Sequence, residues 1–498
     1  VRSVHRVDLD ALAESIDDLT TTWEERTEDA LVDALGELEG RRVFSAVNGG
    51  IPSDYKARMR PGASVGDLLH VAQLMEATQA TRDGTIAAFR PTEGTERGII
   101  TSLGRSVDAD PGHWRFRVFV RDRTNTLSDL VPLLEYLGLH AVDERPAAFH
   151  FDDVTIQLHD IGVRVDVQNI DDDQLREIQR SFVGLMTGAI EADGLNELVL
   201  AAGLDSRQVA VLRLYRRYLR QAGFPFSPAY IERSLVRQPE IVADLARLFD
   251  VRFDPSRYPG RDSRDLAAEE TRRRLLSRLD AVPSLDDDRI CRAFLTLIDA
   301  TLRTNVFRGR QEMAVKLQPE AIGFLPEPRP MFEIFVCSPW VEGVHLRGGR
   351  IARGGLRWSD RPEDFRTEVL GLVKAQMVKN AVIVPVGAKG GFVIKNGVAD
   401  PADRDAVRAE GIDRYTRFIR SLLDVTDNLD GSEPVPPSKT VVYDDPDPYL
   451  VVAADKGTAT FSDIANSISE EYGFWLGDAF ASGGSQGYDH KAMGITAR

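Results

Sequence analysis

The amino-acid sequence predicts a multidomain chain that combines α/β and α+β architecture. Residues 85–192 carry strand and helix patterns in the order strand, helix, strand, strand, helix, which is typical of a ferredoxin-like α+β module. Helical periodicity dominates residues 193–325, and short apolar strand segments separated by glycine turns follow over residues 326–498. A chain of 498 residues has room for about two to four domains of ordinary size.

The overall charge and the cysteine content disfavour several classes of function. The formal net charge of −16 argues against a nucleic-acid partner and against an anionic membrane surface. The longest apolar runs are too short to cross a bilayer, and the first residues show no secretory signal. Cys291 and Cys337 are too few for a disulfide framework, which fits a reducing cytoplasm. The eight histidines show no spacing that predicts a metal site.

Residues 1–84 predict an N-terminal helical segment. Apolar residues recur at helical spacing up to about residue 40, which is typical of a helix packed on a core. The members of this stripe are Leu9, Leu12, Ile16, Leu19, Trp23, Ala30, Leu31, Leu35 and Leu38. A Gly-Gly pair at residues 49–50 ends the pattern, and another helix is predicted over residues 65–79.

The ferredoxin-like module at residues 85–192 is predicted from alternating and helical patterns. Alternation of apolar residues predicts strands over 114–120, 140–145 and 154–158. Helices are predicted over 127–137 and 172–192, and Ser128 is the candidate cap of the first. No residue of this module stands out as part of a binding pocket.

The region at residues 193–325 predicts a helical domain. Its periodic segments lie at 195–219, 229–236, 241–249, 267–279 and 289–304. The proline-rich run at residues 325–330 predicts an extended connection, because proline fixes its own φ and restricts the residue before it. We therefore place a domain boundary at residues 325–326.

The most informative stretch lies at residues 353–395. It opens with a Gly-Gly turn, continues into a helix, enters an apolar strand at 381–384 and reaches Gly-Ala-Lys-Gly-Gly at 387–391. Because glycine lets a ligand approach the backbone closely, Lys389 is a candidate functional lysine. A solvated hairpin turn is the alternative interpretation. A P-loop is excluded, because Gly390 stands where that motif needs Ser or Thr.

Asp455 is the candidate functional carboxylate. It follows the apolar run at residues 450–454, which predicts a buried strand, as does the run at 440–443. In α/β proteins the carboxyl ends of strands are where ligands bind. The alternative interpretation is that Asp455 caps the helix that follows from about residue 461.

The sequence of this region closely resembles the substrate domain of glutamate dehydrogenases. The run R-W-S-D-R-P-E-D-F-R-T-E-V-L-G-L-V-K-A-Q resembles the large bacterial NAD-dependent members in particular. The resemblance implies oxidative deamination of L-glutamate to 2-oxoglutarate and ammonia, with hydride transfer to NAD. It also implies a homo-oligomer, an α/β substrate-binding domain at residues 326–498, and an ACT-like module at 85–192. Such modules bind amino-acid effectors, and a role in packing or assembly alone is the alternative.

The resemblance also implies roles for single residues. Lys389 matches the lysine that polarises the carbonyl or imine and activates water, and Asp455 matches the aspartate that carries protons to and from the amino nitrogen. Lys379 matches the lysine that grips the α-carboxylate, and Gln376 matches a helix residue that assists it. Arg353 stands where smaller members have a lysine for the distal carboxylate.

Three further positions follow from the same resemblance. Gly354 and Gly355 belong to the substrate site, and Thr496 lies in the closing Gly-Ile-Thr-Ala-Arg motif, after which the NAD-binding Rossmann domain follows in the family. No Gly-x-Gly-x-x-Gly turn occurs in this chain. We therefore expect an internal segment of the large enzyme, or one half of a split enzyme, that does not turn over alone.

Three other functions remain open from the sequence. A dehydrogenase for another amino acid would not need a cation for a distal carboxylate. A non-catalytic regulatory or assembly fragment would bind amino acids through the ACT-like module. The Arg-Gly-Gly triplets that begin at Arg347 and Arg353 resemble RNA-binding motifs, but the acidic balance of the chain disfavours that function.

Overall fold

Two units, Val1–Ala192 and Asp193–Arg498, make up the chain in the computed structural model. The structure describes residues 21–76, 98–105, 112–167, 170–258, 260–379, 386–397, 400–458 and 460–485. The predicted helix residues before position 21, the predicted strand at 381–384 and Thr496 therefore lie outside the described residues.

Four helices form the first part of the first unit. They are Trp23–Leu35 (α1), Glu37–Val47 (α2), Ser53–Arg58 (α3) and Pro61–Glu76 (α4). The Thr22 hydroxyl accepts a hydrogen bond from the Glu25 N–H at 3.2 Å and so caps the start of α1. The single helix predicted up to about residue 40 is instead divided at Gly36, whose φ of 84° does not fit a right-handed helix.

A four-stranded antiparallel sheet follows in the first unit. Its elements are Ile99–Arg105 (β1), His113–Arg121 (β2), Leu127–Tyr136 (α5), His140–His150 (β3), Thr155–Arg164 (β4) and Asp172–Met186 (α6). The order β1-β2-β4-β3 places β4 antiparallel between β2 and β3, which is the split pattern of a ferredoxin-like fold. Strand β1 comes first among these elements in the chain, and it is the one strand of this sheet that the sequence patterns did not predict.

Local capping and packing stabilise this first unit. Thr126, rather than Ser128, is the N-cap of α5, and its N–H donates to Asp129 Oδ2 at 2.8 Å. Apolar side chains from the helices and from one sheet face form a shared core, which includes Leu31, Val47, Tyr55, Leu68, Phe119 and Phe149. The helical segment and the sheet therefore share one hydrophobic interior.

Helices make up the first half of the second unit. They are Leu198–Ala201 (α7), Ser206–Gln221 (α8), Pro228–Val236 (α9), Pro239–Phe253 (α10), Arg261–Leu279 (α11) and Leu285–Ala300 (α12). The helix predicted to end at residue 304 ends at Ala300, because the next four residues, Thr301–Thr304, form a strand paired with a later one. Here tertiary pairing outweighs the helical pattern of the sequence.

An eight-stranded mixed sheet forms the rest of the second unit. Its strands are Thr301–Thr304 (β5), Met313–Leu317 (β6), Phe332–Cys337 (β7), Val341–Arg347 (β8), Gly354–Trp358 (β9), Ala388–Ile394 (β10), Val452–Ala454 (β13) and Ala481–Ser482 (β14). Asn428–Asp430 (β11) and Glu433–Val435 (β12) form a separate hairpin. Three helices accompany the sheet, Phe365–Lys379 (α13), Arg404–Leu423 (α14) and Ser462–Glu471 (α15).

The sheet has an antiparallel half and a parallel half. Its order is β14-β13-β9-β10-β8-β7-β6-β5, and β5 to β8 run antiparallel to their neighbours. The strands β14, β13, β9 and β10 run parallel to one another, and β10 is antiparallel to β8. Strands on both sides of the predicted boundary at residue 326 thus belong to one sheet. The predicted strand at 440–443 is wrong, because these residues form no strand.

The two faces of the parallel half are covered by different helices. On one face Leu356, Phe392 and Val452 share a buried core with α14 and α15. On the other face α13 approaches so closely that a Cβ added at Gly391 would lie 2.8 Å from Val369 Cγ2. Successive side chains of a strand point to opposite faces of the sheet. Residues two positions from Gly391, and residues that pair with it on neighbouring strands, therefore point toward α13.

Two glycine substitutions test this close approach. A Cβ at Gly354 would overlap the carbonyl oxygen of Ala388, so we expect Gly354→Ala to destabilise the second unit by about 3 kcal/mol or more. Gly371 on α13 has no heavy atom within 4 Å of an added Cβ, so Gly371→Ala should stabilise it by about 0.5–1 kcal/mol. Urea unfolding of the two variants measures both effects. Equal stabilities would contradict the tight β9–β10 approach.

Candidate active site

Three neighbouring parallel strands bring the predicted site residues to one level of the sheet. Leu356 of β9 pairs with Gly390 of β10 on one side and with Ala454 of β13 on the other. Lys389 is therefore level with Gly355, and Asp455 follows one residue after Ala454. By strand alternation Lys389 and Asp455 project on the face opposite Leu356, which is the face that α13 covers.

Lys389 lies inside a strand rather than in a turn. The strand β10 pairs with β8 on one edge and with β9 on the other, so the hairpin interpretation of Gly-Lys-Gly-Gly is wrong. Close packing explains why glycines follow Lys389. A Cβ at Gly390 would overlap the Leu356 side chain, and a Cβ at Gly391 would press on Val369. The glycines therefore allow the neighbouring strand and α13 to pack closely around Lys389.

Lys389 and Asp455 form a direct contact across β9. The distance from Lys389 Nζ to Asp455 Oδ2 is 3.0 Å, and the two side chains are 21% and 17% exposed. Gly355 lies between them, and a Cβ there would come within 3.0 Å of Asp455 Cβ and 3.2 Å of Asp455 Oδ2. The absence of a side chain at Gly355 thus leaves room for the pair.

Arg357 is a second cation of this site that the sequence analysis missed. Its Nη2 lies 3.3 Å from Asp455 Oδ1, and its Nη1 lies 2.8 Å from Glu368 Oε1 of α13. The Ser359 hydroxyl donates to the other Glu368 oxygen at 2.7 Å. The signal was present in the sequence, because Arg357 stands two residues after Gly355 and must share its face of the strand.

The backbone around Asp455 orients its carboxylate. The Lys456 N–H donates to Asp455 Oδ1 at 2.7 Å, and the Asp455 N–H donates to the Thr458 hydroxyl at 3.0 Å. That hydroxyl in turn donates to the Leu356 carbonyl at 2.6 Å, which ties the turn to β9. Asp455 does not cap the next helix, whose N-cap residue is Phe461.

Asp455 is held in its ionised form. Burial by itself raises the pKa of this carboxyl, but the hydrogen bond from Lys389 opposes it. The hydrogen bond from the Lys456 N–H, the charge of Lys389 and the hydrogen bond from Arg357 act in the same direction, and the pKa of Asp455 lies below its usual range. Asp455 is therefore an anion near neutral pH and can accept a proton.

The last part of α13 places Gln376 beside the residues that precede β9 and β10. Gln376 Nε2 donates to the Arg353 carbonyl at 2.9 Å, and the absence of a side chain at Gly387 leaves space for its carboxamide. Among the described residues, the buried Gln376 Oε1 has no hydrogen-bond partner. Lys379 is the last residue of α13, three positions further on, and its side chain lies outside the described atoms.

Arg353 lies just before β9, with an exposed side chain. Its Nε is 3.4 Å from the Tyr449 hydroxyl, and its carbonyl accepts a hydrogen bond from the Ala388 N–H at 3.1 Å. The structure therefore brings Lys389, Asp455 and Gln376 into one region and places Arg353 at its solvent edge.

This arrangement can bind an anion and move a proton. An ammonium and a carboxylate in direct contact can respectively donate to a carbonyl oxygen and accept from an amine. In the described ranges, no group of three or more His, Cys, Asp or Glu side chains is placed to hold a metal ion. Over the same part of the chain, no helix is both long and apolar enough to cross a membrane.

Family models match most of the chain in three segments. Residues 274–498 match the model described as bacterial NAD-glutamate dehydrogenase, catalytic domain. Residues 190–255 match glutamate dehydrogenase, helical motif 3, and residues 99–175 match glutamate dehydrogenase, ACT3 domain. The last segment includes the ferredoxin-like sheet described above.

Three similar proteins are named NAD-specific glutamate dehydrogenase. The one from Halomonas elongata is 46% identical over 99% of this chain and 29% of its own length. The one from Pseudomonas aeruginosa is 45% identical over 99% of this chain and 30% of its own. The one from Mycobacterium tuberculosis is 45% identical over 96% of this chain and 29% of its own. The chain thus spans less than a third of the length of these relatives.

A double-mutant cycle tests the contact between Lys389 and Asp455. We expect Lys389→Met and Asp455→Asn to be coupled by about 1 kcal/mol in urea unfolding at pH 7, because each single change removes one partner of a partly buried charged contact. The coupling should persist above the unfolded-state pKa of about 3.9 and disappear as pH falls through the lower folded-state pKa of Asp455.

An exposed pair next to Asp455 provides the control for this cycle. Lys456 Nζ lies 3.4 Å from Asp360 Oδ2, and the two side chains are 64% and 76% exposed. Lys456→Met and Asp360→Asn should show no measurable coupling at pH 7, because water screens the pair. Equal coupling in the two cycles would contradict a special contact between Lys389 and Asp455.

Proposed function

We propose that this chain, which belongs to the bacterial NAD-glutamate dehydrogenase family through its ACT3, helical-motif and catalytic regions, binds and deprotonates the substrate in NAD-dependent oxidation of L-glutamate. The products of the proposed reaction are 2-oxoglutarate and ammonia. The observation that carries the proposal is the 3.0 Å contact between Lys389 Nζ and Asp455 Oδ2 on the sheet face that α13 covers. An ammonium beside a carboxylate meets the two needs of this chemistry, a donor for oxygen and an acceptor for a proton.

Cations near Lys389 and Asp455 are proposed to bind the two carboxylates of the substrate. Lys379, at the end of α13, is the proposed partner of the substrate α-carboxylate, and Gln376 Oε1, which has no partner among the described residues, is the proposed acceptor for the amino group. Arg353 is the proposed partner of the distal carboxylate, because its exposed guanidinium can hold a carboxylate with two parallel hydrogen bonds. Gly355 keeps the space between Lys389 and Asp455 free of a side chain, and Gly354 contributes to the proposed site by letting β10 approach β9.

The proposed acid–base steps use Lys389 and Asp455. Asp455 accepts a proton from the substrate ammonium, which leaves the neutral amine that can lose hydride from its α-carbon. Hydride loss leaves an iminium ion, and Lys389 stabilises the oxygen of the water that adds to it while that water loses a proton to solvent. Asp455 then returns its proton to the nitrogen, so that ammonia departs as the carbonyl forms. Both groups act on atoms of the substrate and are therefore proposed as catalytic residues.

NAD, when bound, supplies the acceptor for the hydride. No Gly-x-Gly-x-x-Gly turn joins a strand to a helix in the residues that the structure describes, so those residues do not fit a dinucleotide site. A contact between Thr496 and NAD stays a prediction. The proposed role of the described residues is limited to binding, orientation and proton transfer.

Assembly and regulation complete the proposal. We expect a cytoplasmic homo-oligomer in which the ACT3 region binds an amino-acid effector. Cys291 and Cys337, the two cysteines of the sequence, are buried and not joined by a disulfide, which fits the proposed reducing compartment. If an amino acid still binds after Lys379→Ala and Lys389→Ala, that binding would support an effector site away from the eight-stranded sheet.

Calorimetric titration with 2-oxoglutarate tests the binding role. We expect the wild-type chain to bind it and Lys379→Ala to weaken the affinity by about 10- to 100-fold, because a charge-assisted contact to a carboxylate is lost. Lys374→Ala is the matched control, because it removes the same charge from an exposed position on the same helix and should leave the affinity unchanged. An absence of binding by the wild-type chain, or equal effects of the two variants, would contradict the proposal.

Substrate class is tested by comparing two keto acids. We expect Arg353→Ala to weaken binding of 2-oxoglutarate by about tenfold or more, because its distal carboxylate loses a guanidinium partner. Binding of 4-methyl-2-oxopentanoate, which has no distal carboxylate, should not change. If Arg353→Ala left both affinities unchanged, Arg353 would not select for a dicarboxylate, and a dehydrogenase for another amino acid would be favoured.

A further inference from the structure

A second charged pair adjoins the proposed catalytic pair. Arg357 on β9 and Glu368 on α13 lie 2.8 Å apart at Nη1 and Oε1, and their side chains are 19% and 12% exposed. The Arg357 guanidinium also reaches Asp455, so the four groups form a row in the order Lys389, Asp455, Arg357, Glu368. Because the charges alternate in sign, the row is neutral overall.

The two oxygens of Asp455 have different partners. Oδ1 faces Arg357 Nη2 at 3.3 Å and accepts from the Lys456 N–H at 2.7 Å. Oδ2 accepts from Lys389 Nζ at 3.0 Å. Rotation of the carboxylate would break all three contacts together. Arg357 and the backbone therefore keep Oδ2 as the oxygen that faces Lys389.

Glu368 in turn fixes Arg357. One Glu368 oxygen meets the guanidinium, and the other accepts from the Ser359 hydroxyl at 2.7 Å. Without Glu368 the guanidinium would present an unbalanced positive charge to Asp455 and would attract it more strongly. The remaining charged side chain in this turn, Lys456, is exposed and contacts Asp360. Among the described side chains, Lys389, Arg357 and, behind it, Glu368 thus surround Asp455.

We propose that Arg357 and Glu368 are positioning residues that set the orientation and the charge of Asp455 and so decide how freely Lys389 is available to substrate. This inference rests on the proposed function of Lys389 and Asp455. A carboxylate held by Arg357 shares its negative charge between two cations. Lys389 can then leave Asp455 for the substrate oxygen without stranding an unpaired anion.

The two positioning residues have opposite effects on this balance. Removing the charge of Arg357 leaves Asp455 with Lys389 as its nearest cation and with Glu368 as a nearby anion, so Asp455 binds a proton more readily. Removing the charge of Glu368 strengthens the hold of Arg357 on Asp455, so Lys389 is released more readily. A purely structural pair would lower stability in both variants and would shift neither property.

A pH profile of 2-oxoglutarate affinity tests the role of Arg357. In Arg357→Gln we expect a rise in affinity on acidification that begins at a higher pH than in wild type, because the variant lacks one of the groups that lower the pKa of Asp455, and protonation of Asp455 frees Lys389. That rise should be absent in the double variant Arg357→Gln, Asp455→Asn. Protonation of 2-oxoglutarate itself affects both proteins equally, so the comparison cancels it. Identical profiles for the two proteins would overturn the proposal.

A cycle at constant pH tests the role of Glu368. At pH 7 we expect Glu368→Gln to raise the 2-oxoglutarate affinity at least threefold in the wild-type background and to have no effect in the Asp455→Asn background. Equal effects in both backgrounds would overturn the proposal. Circular dichroism of every variant confirms that the compared proteins are folded.

Failure of this inference can be separated from failure of the proposed function. If the wild-type chain binds 2-oxoglutarate and Lys379→Ala weakens that binding, the proposed function stands whatever the Arg357 and Glu368 variants do. If the wild-type chain does not bind 2-oxoglutarate, both proposals fall together. Arg357→Lys adds a rescue test, because an ammonium restores the charge and should return the pH profile toward that of wild type.

Discussion

The parallel pairing of β9 with both β10 and β13 is the constraint on which the site depends. The pairing is possible only because Gly354 has no side chain where the Ala388 carbonyl oxygen lies. It places Leu356 level with Gly390 and Ala454, and this common register carries Lys389 and Asp455 to the same side of the sheet. Gly355 between them leaves the direct path open, so that two residues 66 positions apart in sequence meet at 3.0 Å.

Two groups of charges in the same unit differ in their access to solvent. In the antiparallel half, Arg303 and Lys316 are at most 1% exposed and pair with Asp427, Asp444 and Asp447. This network is closed to solvent and suits a structural role, because removal of one member would leave a buried charge unpaired. The row from Lys389 to Glu368 is between 12% and 21% exposed. Its charges are therefore buried enough to interact strongly and remain partly accessible to solvent.

The helix α13 connects the helical region to the site. At its start Arg366 makes two hydrogen bonds with Glu333 of β7, at 2.7 and 2.8 Å, and the Tyr218 hydroxyl of α8 donates to the same carboxylate at 3.2 Å. At its end Gln376 bonds the backbone before β9. Hydrogen bonds therefore anchor both ends of α13 to neighbouring strands or strand connections.

The sequence by itself determined the class of architecture and named most of the residues proposed for the candidate site. Helical and alternating patterns indicated the ferredoxin-like module, the helical region and the later strands, because those periods reflect which side chains face a core. Lys389 and Asp455 were found because a lysine among glycines and an aspartate after an apolar strand are unusual in a chain that also carries a family-specific motif. Local capping was less predictable, since Thr126 rather than Ser128 begins α5.

The tertiary structure alone decided how these residues meet. Whether the glycines around Lys389 form a turn or a strand depends on whether this segment pairs with β8 and β9. Both of these strands lie well before β10 in the sequence. Pairing with β6 made Thr301–Thr304 a strand instead of the predicted helix, and packing of α13 against β9 added Arg357 and Glu368 to the candidate site. Sequence patterns report the environment of each residue along its own segment. Register between segments is set by packing and hydrogen bonding across space, and only the folded chain fixes it.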